Sequence, residues 1–424
     1  MATIRAFRGL RYTPQAGPIE ELVAPPYDVL TPEERDAFAA KNPHNIVHLT
    51  LPEQRPDDRS KYVKYARSAA ALAEWRRGGV LKPEEQPALY RYTQTFTVPG
   101  VESPIVRTSV IALIKTEPYE KGVVLPHEQT FPKHKEDRLR ILEATRAHLE
   151  CIFGLYEDPG ASLFETVRGA PAQPAIDTTT EDGVRHQLDL ITDPQACEAI
   201  QQAMAEKKVW IADGHHRYET ACAFRAQLGE RPGLIAEDFM MMALSSMSDP
   251  GLALLPTHRT LKDAPLAPEE VRQKLEGLFD VRPIAKEALV KALEEAGQHA
   301  FGIVLPGGAA FLARLREPGR IGELVGGDAS LELKSLDVTL LHALIFEKLL
   351  GIAGLDKVGY TRNPDEALRA PDEGFSASFL MNPPSVDDMR RIALGGEKMP
   401  QKSTFYYPKI LSGLVLWSLA DFDA

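Results

Sequence analysis

The chain has 424 residues, of which 44% are hydrophobic and 26% are charged, and this composition is typical of a globular protein. Its formal net charge of -11 argues against a broad nucleic-acid-binding surface, because contacts to a phosphate backbone rely on clustered Lys and Arg. No segment reaches the roughly 20 uninterrupted apolar residues of a membrane span, and the N-terminus has no secretory pattern. The three cysteines have neither metal-binding nor disulfide spacing. We therefore expect a soluble cytoplasmic protein with two or three domains.

The first part of the chain is predicted to contain short elements punctuated by proline. Residues 4–30 form short strands and end in a stiff loop with two adjacent prolines, which lack backbone donors. The Thr-Pro-Glu-Glu sequence at residue 31 is typical of a helix start. A strand over residues 46–51 comes next, followed by an amphipathic helix over residues 61–77 that two glycines stop.

The middle of the chain is predicted to alternate strands and helices. Residues 89–98 and 106–114 alternate apolar and polar side chains, so we expect them to pair as an antiparallel hairpin. A polar, charge-dense loop over residues 127–138 leads into a helix that extends to about residue 149. The remaining elements are strands over residues 152–156 and 187–191, a turn-rich connection over residues 158–174, and a helix opened by Asp193-Pro194.

A passage rich in Ser, Asp, Pro and Gly at residues 245–251 predicts a domain boundary. It divides the chain into residues 1–250 and residues 251–424. Beyond it we predict helices over residues 268–279, 286–296 and 338–350, and strands over residues 301–305, 310–315 and 375–381. The alternation indicates an α/β or α+β protein with mixed sheets.

Residues 208–221 form the most informative stretch of the sequence. An apolar run suited to a buried strand ends at Asp213-Gly214, and a helix-prone segment starting with His215-His216-Arg217 follows at once. The start of a helix favours an anion, so cations there destabilise the helix unless a negative group is bound. A phosphate group is the candidate, and Gly214 lets the backbone approach it closely. The alternative is a capped core helix whose histidines face solvent.

The charge-dense loop is a second candidate site. Its candidate residues are His127, Glu128, Thr130, Lys133 and Arg138. It is not a zinc-binding His-Glu-x-x-His motif, because the second histidine is missing at that spacing. A loop dense in both signs could gather around a polyanion or a metal–nucleotide, with Glu128 as a base or a Mg²⁺ ligand. The alternative is a solvated loop whose charges pair with one another.

Three shorter segments add candidate ligands. Arg259 follows a histidine at a predicted strand end, and residues 402–404, Lys-Ser-Thr, offer a charge and two hydroxyls. The glycine framework of a P-loop is missing there, so this is not a Walker motif. Tyr27 and Asp28 follow the two prolines, which hold one phenol and one carboxylate on a stiff platform. Surface or structural roles are the alternatives for Arg259 and for residues 402–404.

These motifs resemble those of known families. Residues 214–218 resemble the phosphate-binding Gly-Cys-His-Arg-Tyr turn of sulfiredoxins, and residues 213–217 resemble the signature of free-serine kinases that share the ParB/sulfiredoxin fold. Nearly the whole chain resembles DUF1015, an uncharacterised bacterial and archaeal family placed near that fold. The signatures that carry this resemblance are Pro-Pro-Tyr-Asp-Val from residue 25, Asp-Gly-His-His-Arg-Tyr-Glu-Thr-Ala from residue 213 and Met-Pro-Gln-Lys-Ser-Thr from residue 399.

The resemblance implies a mixed-sheet ParB/sulfiredoxin-like core in residues 1–250 and an additional α/β domain in residues 251–424. His215 stands where sulfiredoxins have their reactive cysteine, so thiol repair is not expected. By analogy with the kinases, an acidic residue in the N-terminal part would act as the base, and Asp28 is the candidate.

The sequence therefore favours a nucleotide- or phosphate-dependent phosphotransferase that uses Mg²⁺ with ATP, ADP or CTP and acts on a small hydroxylated metabolite such as free serine. The catalytic candidates are Asp213, Glu128 and Asp28. The phosphate- or nucleotide-binding candidates are Gly214, His215, His216, Arg217, Arg259, Lys402, Ser403 and Thr404. The substrate-binding candidates are His127, Thr130, Lys133, Arg138 and Tyr27.

A non-catalytic switch protein that binds CTP or ATP is the alternative, and it predicts nucleotide binding with little or no turnover. A ParB-like DNA-binding protein is less favoured, because the chain is acidic overall. The metal ligands, the phosphate donor, the acceptor and the oligomeric state stay open at this point.

Overall fold

A computed structural model describes residues 1–98, 103–128, 132–264, 266–354, 356–400 and 402–423, with the side chains of residues 132–134 excepted. Its contacts divide the chain into two compact units. Unit 1 comprises Met1–Pro126, Thr130–Leu252 and Pro408–Ala424, and unit 2 comprises His127–Gln129 and Ala253–Tyr407. The domains expected over residues 1–250 and 251–424 stay a prediction.

Unit 1 is built on a nine-stranded mixed sheet. Its strands are β1 (Ile4–Arg5), β2 (Leu89–Phe96), β3 (Ile105–Lys115), β4 (Val124–Leu125), β5 (Ile152–Tyr156), β6 (Gln173–Thr179), β7 (Arg185–Ile191), β8 (Val209–Asp213) and β9 (Phe239–Ser246). Their spatial order is β4-β8-β5-β9-β3-β2-β7-β6, and β1 pairs with β3. The pairs β4–β8 and β5–β9 are parallel, whereas β5–β8 and β3–β9 are antiparallel. The expected α/β class with a mixed sheet is confirmed.

The helices of unit 1 lie between these strands along the chain. They are α1 (Ile19–Leu22), α2 (Pro32–Lys41), α3 (Val47–Thr50), α4 (Val63–Arg77), α5 (Pro132–Thr145), α6 (Ser162–Gly169), α7 (Pro194–Ala205) and α8 (His215–Gln227). Every residue of β9 is buried, because a strand in the middle of a sheet with both faces covered needs a continuous apolar run rather than an alternating one. None of the helices formed by the described residues is both long and apolar enough to cross a bilayer.

Unit 2 contains a six-stranded sheet whose pairs are all antiparallel. Its strands are β10 (His258–Leu261), β11 (Phe279–Pro283), β12 (Ala300–Val304), β13 (Ala310–Leu315), β14 (Val358–Thr361) and β15 (Ala377–Met381), in the order β11-β13-β12-β15-β10-β14. Its helices are α9 (Pro268–Leu275), α10 (Leu289–Ala296), α11 (Ile321–Val325), α12 (Leu331–Lys334), α13 (Asp337–Leu340), α14 (Pro364–Arg369) and α15 (Val386–Leu394). A π-helix over Leu341–Leu350 continues α13, so the helix expected over residues 338–350 changes its winding partway.

Several predicted elements are confirmed. The antiparallel hairpin is formed by β2 and β3, and the amphipathic helix is α4. The strand over residues 152–156 is β5, and the helix opened by Asp193-Pro194 is α7, which the Asp193 side chain caps by accepting from the Ala196 amide.

The strand predicted over residues 46–51 is wrong, because the chain forms the single helical turn α3 there. The side chain of Asn45 accepts a hydrogen bond from the Val47 amide and donates to the Val23 carbonyl, which turns the backbone inward at this point. Short apolar runs do not distinguish a buried strand from a buried helical turn, since all their side chains are buried in either case.

Two connections also differ from the prediction. The loop expected over residues 127–138 becomes helical at Pro132, and α5 ends at Thr145 rather than near residue 149, because Arg146 adopts a left-handed conformation with φ 51°. The turn-rich connection over residues 158–174 contains α6. The Asp158 carboxylate accepts from the Leu163 and Phe164 amides and so stabilises the start of α6. The local sequence pattern did not predict this interaction.

The close packing of β5 generates a stability prediction. A Cβ atom on Gly154 would lie 2.5 Å from Met242 Sδ and 2.9 Å from Val209 Cγ1. We therefore expect Gly154→Ala to lower the free energy of unfolding by about 1–3 kcal/mol, measured by urea unfolding followed by circular dichroism. The matched control is Gly169→Ala at the end of α6, where an added Cβ meets no heavy atom within 4 Å among the described residues. Equal effects of both substitutions would contradict this packing.

Candidate functional site

The turn between β8 and α8 requires a glycine. β8 ends at Asp213, Gly214 adopts the left-handed conformation with φ 95° and ψ 27°, and α8 begins at His215. A Cβ at residue 214 would also lie 2.6 Å from Ile152 Cγ2 in the neighbouring strand. Both the backbone conformation and the available space therefore exclude a side chain. The predicted strand-to-helix turn is confirmed.

The side chains in the first turn of α8 differ in exposure. His215 and Arg217 are buried, whereas His216 is half-buried. Arg217 Nη1 donates to the Cys151 carbonyl at 2.7 Å, and Arg217 Nη2 donates to Asp213 Oδ2 at 3.1 Å. The negative charge expected at this helix start is thus supplied in part by the protein itself. Within the described residues no side chain caps α8, and Asp213 serves as an ion-pair partner instead.

Asp213 is held by two cations. Its Oδ2 accepts from Arg217, and its Oδ1 accepts from Lys409 Nζ at 2.6 Å. Burial alone would raise the pKa of the Asp213 carboxyl, but Lys409 and Arg217 outweigh burial and hold that pKa well below its usual value. A carboxylate with so low a pKa is a poor proton acceptor at neutral pH. Asp213 is therefore suited to positioning Arg217 and Lys409 rather than to acting as a base.

Glu150 joins the other predicted segments of unit 1. Its buried carboxylate accepts from the Tyr27 amide and from Ser412 Oγ, both at 3.0 Å, and lies 3.8 Å from Arg138 Nη1. The Arg138 guanidinium stacks 3.8 Å from the centre of the Tyr27 ring, and Arg217 lies 5.8 Å from the same ring. Three stretches far apart in sequence therefore converge on one buried carboxylate. Glu150 and Lys409 were not among the residues predicted from the sequence, because isolated charged residues carry no local pattern.

A small cavity lies on the inner side of this cluster. It measures about 50 Å³, and Arg138, Glu150, Arg217, Thr50 and Thr220 contribute to its wall. One water molecule occupies about 30 Å³ in the liquid, so the cavity suits one or two ordered waters and excludes a nucleotide. Any larger ligand at this turn would have to approach from the half-buried side, where Gly214 and His216 lie.

Asp28 is the exposed carboxylate of this cluster. Among the residues that the structure describes, it has neither a hydrogen bond nor an ion pair through its side chain, although it lies within electrostatic range of Tyr27 and Arg217. Burial and then the charge of Asp28 raise the pKa of the Tyr27 phenol above its ordinary value, so Tyr27 stays protonated. Of the three carboxylates predicted as bases, Asp28 is the one in unit 1 whose oxygens are open.

The other predicted residues belong to unit 2 and form their own contacts there. His127 Nε2 lies 2.7 Å from Thr404 Oγ1, and Thr404 donates to Glu128 Oε1 through its amide at 3.2 Å and its hydroxyl at 3.1 Å. Ser403 Oγ donates to the Pro400 carbonyl at 2.5 Å. The two hydroxyl hydrogens that were predicted to bind phosphate are therefore used within the protein.

Of three further predicted residues, two lie wholly or partly outside the described residues, and the third is exposed. Thr130 lies outside the described residues, and Lys133 falls in α5 with its side chain outside the description. Lys402 has an exposed side chain and a left-handed backbone with φ 58°. In the described part of the chain, no group of three or more His, Cys, Asp or Glu side chains is arranged to hold a metal ion.

Comparison with known proteins gives one family match and several distant structural likenesses. Residues 4–339 match the model of a family described as "Protein of unknown function (DUF1015)". A mutant free serine kinase in complex with ADP is 14% identical and has a TM-score of 0.37, with 77% of this chain and 99% of that chain covered. A truncated SbnI from Staphylococcus aureus is 12% identical, with a TM-score of 0.36 and 74% and 90% covered. A conserved hypothetical protein from Pyrococcus furiosus is 15% identical, with a TM-score of 0.34 and 74% and 97% covered. No curated protein matches the chain.

The ion pairs of Asp213 generate a prediction on stability and pH. Asp213→Asn leaves the buried Arg217 and the half-buried Lys409 without the Asp213 carboxylate, so we expect a loss of about 3 kcal/mol in the free energy of unfolding at pH 7. The folded-state pKa of Asp213 lies below the unfolded value of about 3.9, so its contribution is complete above that value and is lost as the pH falls below it. Urea unfolding from pH 7 to pH 3 should show the difference between the two proteins constant near pH 7 and beginning to shrink below the unfolded pKa.

The control for that experiment is Asp177→Asn. Asp177 also pairs with an arginine, Arg185, but both side chains are half exposed, so the substitution should change the unfolding midpoint far less. A difference between wild type and Asp213→Asn that persists unchanged at pH 3 would contradict the role assigned to the ion pairs.

Proposed function

The chain belongs to the DUF1015 family, and we propose that this member is a phosphotransferase that binds the phosphates of a nucleotide at the turn of residues 213–217. The proposed acceptor is a small hydroxylated metabolite, with free serine as the first compound to try. The observation that carries the proposal is the left-handed Gly214, which opens a helix of 13 residues beside two cations held by one carboxylate.

The start of α8 favours an anionic ligand. Arg217 and Lys409 lie beside it and share the Asp213 carboxylate, while Glu150 and Asp28 also interact electrostatically with Arg217. The start of α8 adds the partial positive charge of the helix dipole on the same side. Gly214 has no side chain to block the approach of phosphate oxygens to the backbone. His216, which is half-buried in the first turn, is the side chain placed to contact such a ligand.

Asp28 is the proposed base. In the transfer, the bond between the donor oxygen and the terminal phosphorus breaks and a bond from the acceptor oxygen to that phosphorus forms. The hydroxyl proton passes to the Asp28 carboxylate, and the donor leaves with its electron pair. Asp28 is favoured over Asp213 because both oxygens of Asp213 accept from cations, and over Glu128 because its Oε1 accepts from Thr404.

Mg²⁺ would bind at this site only together with the nucleotide. Asp28 is the open carboxylate near the turn, and a single carboxylate together with phosphate oxygens and water is the usual ligand set of Mg²⁺ in such enzymes. When bound, the ion would offset charge on the transferring phosphoryl group. ATP, ADP and CTP remain the proposed donors.

The nucleotide-binding switch stays the second candidate, and one observation favours it. The internal pairing of Asp213, Arg217 and Lys409 makes the turn a charged scaffold without a base of its own, so it can bind phosphate without turnover. The two candidates share the binding step and differ in whether Asp28 has a catalytic role.

The binding step generates a prediction. ATP, ADP or CTP should raise the melting temperature of the wild-type protein, because a ligand that binds only the folded state stabilises it. His216→Ala should reduce this nucleotide-dependent shift, whereas His44→Ala should preserve it, because His44 packs against Trp75 away from the turn. Differential scanning fluorimetry with and without nucleotide separates the ligand effect from any change in basal stability. A wild-type protein that shows no shift with any of the three nucleotides would refute binding at the turn.

The catalytic step generates a second prediction. Asp28→Asn should lower kcat at least about 100-fold while the nucleotide-dependent thermal shift is retained, because a general base contributes roughly 10²–10⁴ to the rate. Asp57→Asn is the matched control, since Asp57 is also exposed and has no side-chain contact among the described residues. Phosphorus NMR of reactions with free serine and each nucleotide measures turnover. A nucleotide-dependent shift without turnover in the wild type would support the switch instead.

A further inference from the structure

Arg259 is a buried cation in unit 2. It lies on β10, which is sandwiched between β14 and β15, and its direct cross-strand neighbours are Tyr360 and Phe379. Only 1% of Arg259 is exposed, and its guanidinium lies 4.8 Å from the centre of the Tyr360 ring. Strands therefore flank β10 on both of its edges, and Arg259 is buried.

Most of the hydrogen-bonding capacity of Arg259 is unused. A guanidinium has five N–H donors. Nη1 donates to the Thr257 carbonyl at 2.5 Å and Nη2 to the Lys402 carbonyl at 3.1 Å, whereas the buried Nε has no partner among the described residues. Both acceptors are neutral carbonyls. Nε–H and a second Nη–H together form the edge with which arginine binds an oxyanion through two parallel hydrogen bonds.

The charge of Arg259 is also uncompensated. Across the described part of unit 2, no carboxylate oxygen lies within the 4.0 Å of an ion pair, and Glu128 interacts with Arg259 only at longer range. Burial lowers the pKa of Arg259 to about 10, which still leaves it protonated at neutral pH. His258 and His342 add no second positive charge beside it, because burial and then Arg259 lower the pKa of each to about 4 and keep them neutral. A buried cation of this kind is unstable without a counter-charge.

A second arginine follows the neighbouring strand. Arg259 is directly opposite Tyr360 on β14, which ends at Thr361, and Arg362 is the next residue along the chain. The Arg362 guanidinium lies 3.5 Å from the centre of the Phe405 ring. Two planar guanidinium groups suit the several oxygens of a phosphate better than a monatomic anion.

We propose that Arg259 and Arg362 bind a phosphate group, as inorganic phosphate or as the phosphate of a small metabolite. This site lies in unit 2 and uses none of residues 213–217, so it is independent of the phosphotransferase proposal. The phosphate supplies the missing counter-charge to Arg259 and accepts from its unused N–H edge.

The test compares Arg259→Met with wild type in buffers with and without inorganic phosphate. Phosphate should raise the melting temperature of the wild type and leave that of Arg259→Met unchanged. Without phosphate, Arg259→Met should melt at or above the wild type, because the substitution removes an uncompensated buried charge and keeps the apolar volume. Arg282→Met, an exposed arginine on β11, is the matched control and should retain the full phosphate shift. All variants are also measured with His216→Ala, so that phosphate at the turn of residues 213–217 does not contribute.

A structural role for Arg259 predicts the opposite result. If Arg259 serves only to donate to its two carbonyl partners, Arg259→Met melts below the wild type by the same amount in both buffers. That result would overturn the proposal. An equal shift with acetate would overturn the assignment to phosphate. Should Arg259→Met not fold, Arg259→Lys keeps the charge and loses the planar edge, and calorimetry should show phosphate binding at least about tenfold weaker than in wild type. Unchanged affinity in Arg259→Lys would overturn the proposal as well.

Discussion

The pairing of one carboxylate with two cations organises the site in unit 1. Asp213 ends β8, and its two oxygens accept from Arg217 one helical turn later and from Lys409 near the C-terminus. Without Asp213, the first turn of α8 would place a buried guanidinium against the positive end of the helix dipole with less negative charge nearby. The left-handed Gly214 places this carboxylate at the start of α8, where its negative charge offsets the guanidinium and the helix dipole.

This pairing also separates the chemical roles of the acidic residues. A carboxylate whose pKa is held far down by two cations is a reliable anion but a weak base, so Asp213 is suited to organising charge rather than to proton transfer. Glu150 has a similar organising role deeper in the unit, where it holds the Tyr27 backbone beside Arg138. The exposed Asp28 is adjacent to Tyr27 and has no ion pair among the described residues.

Two of the buried arginines, Arg217 and Arg259, show what burial demands of a guanidinium. Arg217 has a carboxylate at 3.1 Å and a backbone carbonyl at 2.7 Å, so the protein itself supplies its counter-charge. Arg259 is still more buried and has only neutral carbonyls as hydrogen-bond partners among the described residues. Among the described residues, Arg259 therefore lacks the nearby carboxylate that Arg217 has.

The sequence by itself determined the local features of this protein. The β8–Gly214–α8 turn and the hairpin of β2 and β3 followed from apolar periodicity and glycine placement, because these act within a few residues. Tertiary structure alone decided the rest. Glu150 and Lys409 entered the site through contacts that no local pattern encodes, and residues 46–51 became a helical turn because Asn45 bonds to a distant carbonyl. Charge pairing across hundreds of residues depends on where the folded chain brings side chains together, so it becomes visible only in three dimensions.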